Sequence, residues 1–117
     1  PYTAIVRVDN SQLQFYTYPD KQAGGSFVAF TDTTTFHSVI ATYDGAKMKL
    51  YLDGILQATT YNQTGVTGTG GESEAWGRYG TFYGNHTLDG GAFFNKALNQ
   101  AEVTEIYNIQ NSGNELI

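Results

Sequence analysis

Residues 36–60 read FHSVIATYDGAKMKLYLDGILQATT, and this stretch decides the fold. Within it, Lys47, Lys49 and Tyr51 alternate with Met48, Leu50 and Leu52. A period of two is the mark of a strand, here with one wet face and one core face. Asp44-Gly45 precedes this strand and Asp53-Gly54 follows it. Asp-Gly pairs suit two-residue hairpin turns, because both central residues need positive φ. The flanking stretches, Phe36–Tyr43 and Ile55–Thr60, are then strands, and the three form an antiparallel meander.

The same signals extend outward. Residues 2–8 and 12–18 read as strands joined by the turn cluster Asp9-Asn10-Ser11. Pro19–Gly25 is a loop, Ser26–Phe30 a short strand, and Thr31–Thr35 a polar stretch. Residues 61–73 form the longest loop, rich in Gly, Thr and Asn, and long loops in compact domains often carry function. Ala75–Tyr83 reads as a strand interrupted by Gly77 and Gly80, which predicts a bulge or a close backbone approach. Thr87–Phe94 carries Leu88 and the pair Phe93-Phe94. One helix follows: Asn99 is a good N-cap, Glu102 three residues on completes a capping box, and Leu98 with Val103 forms a hydrophobic staple. Val103, Ile106, Tyr107 and Gln110 keep helical spacing, and the helix should end near Asn111–Gly113.

Composition agrees with a folded all-β domain. The 117 residues are 40% hydrophobic and only 15% charged, the opposite of a disordered balance. Nine Tyr, seven Phe and many Thr favour a pleated, half-buried surface. Fourteen Gly favour a turn-rich chain. The net charge is −5 and the six Lys and Arg are scattered, so the footprint of nucleic-acid binding is absent. There are no cysteines, which excludes disulfides and thiol chemistry. No apolar run approaches the ~18 residues of a membrane helix, so membrane insertion is not expected. Because the chain starts at Pro1 rather than Met, we expect one domain, residues 1–117, within a longer polypeptide. Many short strands and one terminal helix predict a two-sheet antiparallel jelly-roll sandwich with one short C-terminal helix.

Two blocks carry a family resemblance. In residues 36–60 an aromatic-His-x-Val run (Phe36-His37-Ser38-Val39) leads to Thr42-Tyr43-Asp44-Gly45 and then to a strand ending in Asp53-Gly54. In residues 85–103, Asn85 and Leu88-Asp89 precede Phe93-Phe94-Asn95-Lys96-Ala97-Leu98-Asn99 and Glu102-Val103. This resembles the laminin-G-like domains of the concanavalin A-like jelly rolls, over roughly residues 12–108. Phe36 stands where the family usually has Trp. The family normally has several strands before the stretch matching Tyr2–Tyr18, so the resemblance implies an incomplete piece of the domain or an edge completed by a partner.

Candidate sites follow from side-chain chemistry. Trp76, Tyr79, Phe82 and Tyr83 cluster after the glycine-rich loop, beside Asn85. Flat aromatic faces stack on sugar rings while amide oxygens fix hydroxyls. Tyr61, Asn62, Trp76, Tyr79, Tyr83 and Asn85 are therefore the candidate ligand contacts, although alternate aromatics on a strand also serve as core. Asp89 matches an acid that, in the resembled family, supports the fold edge or a calcium ion. Calcium takes six to eight oxygen ligands, and the sequence does not place the others. Glu72 and Glu74 alternate, but the acidic triplet of related glucanases has Trp76 at its third place, so no catalytic residue is assigned. His37 is expected to pack or to bond the backbone, and no metal-binding His spacing exists. The expected function is a non-catalytic carbohydrate-binding or adhesion module of a larger extracellular, cell-surface or virion (for example phage) protein, acting as a lectin. Its partner would be a glycan or another protein of the same assembly. The alternatives are a structural interaction domain completed by a neighbour and, least favoured, a glycan-cleaving enzyme.

Overall fold

A computed structural model of the chain describes residues 3–18, 25–32, 34–44, 46–57, 61–62, 78–79, 82–83, 91–92 and 94–112. A three-stranded and a four-stranded antiparallel sheet, a separate two-stranded hairpin and one helix make up the fold of these residues. The first sheet runs β1 (Thr3–Asp9), β2 (Gln12–Tyr18) and β3 (Gly25–Ala29) in order. Asn10 and Ser11, at φ 52° and 59°, make the β1–β2 turn, the conformation that a two-residue type I′ hairpin requires. The Ser11 carbonyl then accepts the Phe30 N–H at 2.8 Å, which ties this turn to the end of β3.

The second sheet is built on β5 (Lys47–Leu52). β4 (Val39–Tyr43) pairs along one edge, Val39 opposite Leu52 through Tyr43 opposite Met48. β6 (Ile55–Leu56) and β7 (Tyr61–Asn62) share the other edge, β6 against Tyr51 and Leu52, β7 against Lys47 and Met48. The Asp44 carboxylate accepts the Ala46 and Lys47 N–H groups, closing the first turn of the meander. Those bonds hold the Asp44 carboxyl below its ordinary range. Asp53 at φ 52° and Gly54 at φ 79° close the second.

The core lies between the sheets. Leu13 and Phe15 of β2 meet Met48 and Leu50 of β5, and Val28, Phe30, Ala41, Tyr43 and Leu52 pack around them. The alternation in residues 47–52 thus holds for Met48 and Leu50. It fails at Tyr51, expected on the wet face but fully buried. Tyr51 points to the outer face of the sheet, where α1 (Gln100–Asn111) covers it with Leu98 and Val103, flanked by Ile40 and Ile106. Burial pushes the Tyr51 phenol above its ordinary pKa.

The helix forms as its cap predicts. Asn99 accepts the Glu102 N–H and Glu102 accepts the Asn99 N–H, both at 2.9 Å. Leu98 and Val103 meet in the outer cluster, as a staple does. Lys96 pairs with Glu102, and the Glu102 carboxyl is held below its ordinary range by Lys96 and by the Asn99 N–H. Gln100 donates to the Gly54 carbonyl at 2.9 Å, and Tyr107 lies against Gly54 so closely that a Cβ there would sit 3.0 Å from its ring.

Several boundaries differ from the sequence expectation. The strand expected over Phe36–Tyr43 begins at Val39, because the Asp53 carboxylate takes the His37 ring and the Ser38 N–H in place of a strand's backbone acceptor. Tyr61 and Asn62, expected at the start of a loop, pair with β5 instead. The single strand with a bulge expected over Ala75–Tyr83 is, in its described part, a hairpin of β8 (Arg78–Tyr79) and β9 (Phe82–Tyr83), with Arg78 opposite Tyr83. Gly77 and Gly80, where a bulge or close backbone approach is expected, lie outside the described residues.

The inner layer is not covered at its edges. Val6 and Val8 stand opposite Phe15 and Leu13, and so point to the core side, yet they are 49% and 56% exposed. Ile55 stands opposite the core-side Leu52 and is 68% exposed.

Candidate functional site

The clearest polar constellation among the described residues sits where the loop after β3, the β5–β6 turn and the helix converge. Its centre is His37. Nδ1 lies 2.7 Å from Asp53 Oδ2 and Nε2 lies 3.1 Å from Asp32 Oδ2. Asp53 reaches the ring from its turn, and its second oxygen accepts the Ser38 N–H at 3.0 Å. The Asp53 N–H in turn donates to the Ser38 carbonyl at 2.9 Å, so the carboxylate and backbone extend the β4–β5 pairing by one residue. Phe30 meets the His37 ring edge-on at 5.2 Å.

Asp32 organises the loop itself. Its Oδ1 accepts the N–H of Thr34 at 2.8 Å, the Thr34 hydroxyl at 2.9 Å and the N–H of Thr35 at 3.3 Å. Its Oδ2 accepts the Thr35 hydroxyl as well as facing His37. Such a carboxylate is strongly favoured in its charged form. The Thr35 hydroxyl, the Thr34 N–H and hydroxyl, and His37 hold the Asp32 carboxyl well below the usual carboxylate range. Asp53 and Asp32 raise the His37 imidazole above its ordinary value of 6.5. The helix joins the group through Ser38, whose hydroxyl donates to Gln110 Oε1 at 2.5 Å.

Phe36 stands between Thr35 and His37 on this fixed segment and is 71% exposed. The loop therefore presents a bare aromatic ring between two residues that are held by hydrogen bonds, Thr35 through its N–H and His37 through its ring. Aromatic faces held in this way stack on apolar ring faces of ligands at little entropic cost. In the Asp32–His37–Asp53 group Asp32 is held charged by its donors, and both ring nitrogens face carboxylate oxygens.

Of the candidate residues from the sequence, four are among the described residues. β7 carries Tyr61 and Asn62, β8 carries Tyr79 and β9 carries Tyr83, so Tyr79 and Tyr83 are brought into one hairpin while Tyr61 and Asn62 belong to the second sheet. Trp76, Asn85 and Asp89, with Glu72, Glu74 and His86, lie outside the described residues. Among the described residues no group of three or more acidic or histidine side chains could hold a metal ion, and no helix is long and apolar enough to cross a membrane. The sequence reading gave His37 a packing or backbone role and did not see its two carboxylates. A signal was present for part of the group: Asp32 followed by Thr34 and Thr35 is the pattern in which a carboxylate bonds backbone two and three residues on.

Comparison with curated proteins and with solved structures finds no match. Residues 2–104 match a laminin-G family described as the concanavalin A-like lectin/glucanases superfamily. The match spans both blocks on which the resemblance rests, and the two-layer antiparallel sandwich is the architecture that family builds. Laminin-G-like domains are generally non-catalytic, although the superfamily also includes glycosidases. The chain belongs to the laminin-G-like domains of the concanavalin A-like lectin/glucanases superfamily.

Proposed function

We propose that this domain is a non-catalytic carbohydrate-binding or adhesion module of a larger extracellular or virion surface protein. The observation that carries the reading is Phe36, a largely exposed aromatic ring on a loop whose neighbours are all held by hydrogen bonds. A ring fixed in place gives stacking area without the ordering cost that a mobile loop would incur. Tyr61, Asn62, Trp76, Tyr79, Tyr83 and Asn85 are proposed as further contacts, since aromatic and amide groups together match the two surfaces of a sugar. Calcium at Asp89 belongs to the same proposal. Family membership supports the class, because domains of this kind often bind carbohydrate or mediate adhesion. Fold alone does not give function, so the test is on the residues.

The experiment is a glycan panel probed with the domain displayed multivalently, first with calcium and then with a chelator. Binding that is lost in Phe36→Ala or Trp76→Ala supports the reading, and loss on chelation brings Asp89 into the site. A folded, multivalent sample that binds no glycan overturns it.

A second reading is favoured by Val6, Val8 and Ile55, which point to the core side and remain exposed. A structural interaction domain completed by a neighbouring chain would cover them. Sedimentation of the wild type against Val6→Thr/Val8→Thr separates the two: a concentration-dependent assembly lost in the variant favours the structural unit.

A further inference from the structure

We propose that Asp32, His37 and Asp53 form a proton-operated latch that fixes the loop carrying Phe36 to the β5–β6 turn. The geometry argues it directly. A neutral imidazole has one N–H, so it can donate to only one of two carboxylates. Here both ring nitrogens face carboxylate oxygens, at 2.7 Å and 3.1 Å, and only the imidazolium donates to both. Thr35 makes the alternative state available. Its hydroxyl lies 3.2 Å from Nε2 and also reaches Asp32. When His37 loses its Nε2 proton, the Thr35 hydroxyl can turn from Asp32 to the ring nitrogen. Asp32 then loses two donors at once, and its own link through the ring to Asp53 is broken, while His37 and Ser38 stay on Asp53.

The carboxylates facing the ring come from two elements, Asp32 from the loop after β3 and Asp53 from the β5–β6 turn. Helix α1 reaches the neighbouring Ser38 with the neutral Gln110, and β3 is followed by Phe30, which contributes only its ring. Both carboxylates therefore favour the charged imidazole.

The sign follows from the two shifts. His37 is raised, so its contribution is complete below 6.5 and is lost as pH rises through the raised value. Asp32 is lowered, so its contribution is complete above 3.8 and is lost only under strong acidification. The latch is closed between those limits and opens on the alkaline side. It does not depend on what, if anything, binds Phe36.

The test is a histidine NMR titration of the intact chain together with amide hydrogen exchange, with His86→Gln assigning the two imidazoles. We expect His37 to titrate above 6.5, and protection at Thr34 and Thr35, corrected for intrinsic exchange, to fall about tenfold through that titration while Ser38, held by Asp53, and the β4 and β5 amides keep theirs. Asp53→Asn keeps a side chain that tolerates the left-handed turn and should move the His37 titration down. Asp32→Asn keeps one acceptor for the Thr34 and Thr35 N–H groups and should remove the pH step in their protection. A His37 titration at or below 6.5, or loop protection that is flat across it, overturns the latch.

Discussion

The two faces of β5 are buried by different means. On the inner face, Met48 and Leu50 meet Leu13 and Phe15 from the opposite sheet. On the outer face, Tyr51 meets Leu98 and Val103 from the helix and the segment leading into it. The inner face is part of the sandwich and would exist without the helix. The outer face becomes a core only when a segment some fifty residues away docks on it. One strand thus holds a sheet pair together and anchors a helix, and the two clusters should fail differently.

The largest expected effect breaks the inner face. Leu50→Ala removes a fully buried side chain from the sandwich and should cost about 2–5 kcal/mol, read as a lower urea midpoint with all probes moving together. Val103→Ala should cost less, about 1–3 kcal/mol, and sharpen the comparison. Helical circular dichroism and α1 exchange protection should weaken before the β-sheet signal, because the outer cluster alone is damaged. If both variants unfold the molecule in one step at the same loss, the two faces are a single cooperative unit.

Gly54 joins the two regions. At φ 79° an alanine meets the left-handed penalty, and its Cβ would lie 3.0 Å from Tyr107. Gly54→Ala should therefore destabilise by roughly 1–2 kcal/mol from the backbone alone, with part of any excess recovered in Gly54→Ala/Tyr107→Ala. Asn99→Ala removes a helix cap and should cost about 1 kcal/mol, felt at the helix and not at β2. Phe36→Ala should change stability by less than about 0.5 kcal/mol, since the ring is mostly in water, while abolishing any ligand binding that uses it.

These differences also explain how far the sequence could be read. The capping box was legible because Asn99 and Glu102 satisfy each other within one turn. The Asp53-Gly54 turn and the alternation of Met48 and Leu50 were legible for the same reason, being short-range patterns. The burial of Tyr51 was not, because the period-two rule assigns a face and cannot say whether a helix covers it. His37 illustrates the same limit at the candidate site. Its partner Asp53 is sixteen residues away, and the first reading of Asp53 was as a turn residue alone. The stretch Phe36–His37 was read as strand because its residues suit one, yet the Asp53 carboxylate takes the His37 ring and the Ser38 N–H where a strand would supply a backbone acceptor.

What the sequence determined by itself is the set of local commitments: all-β character, the two hairpin turns of the meander, the capped helix and the family motifs. Each rests on residues close enough in the chain for their chemistry to decide the outcome. The tertiary structure alone decided that both faces of β5 are buried, which carboxylates reach the imidazole, and that Phe36 is left in water. Those depend on where separate elements meet, and the free energy of that meeting is shared among residues that no local pattern connects.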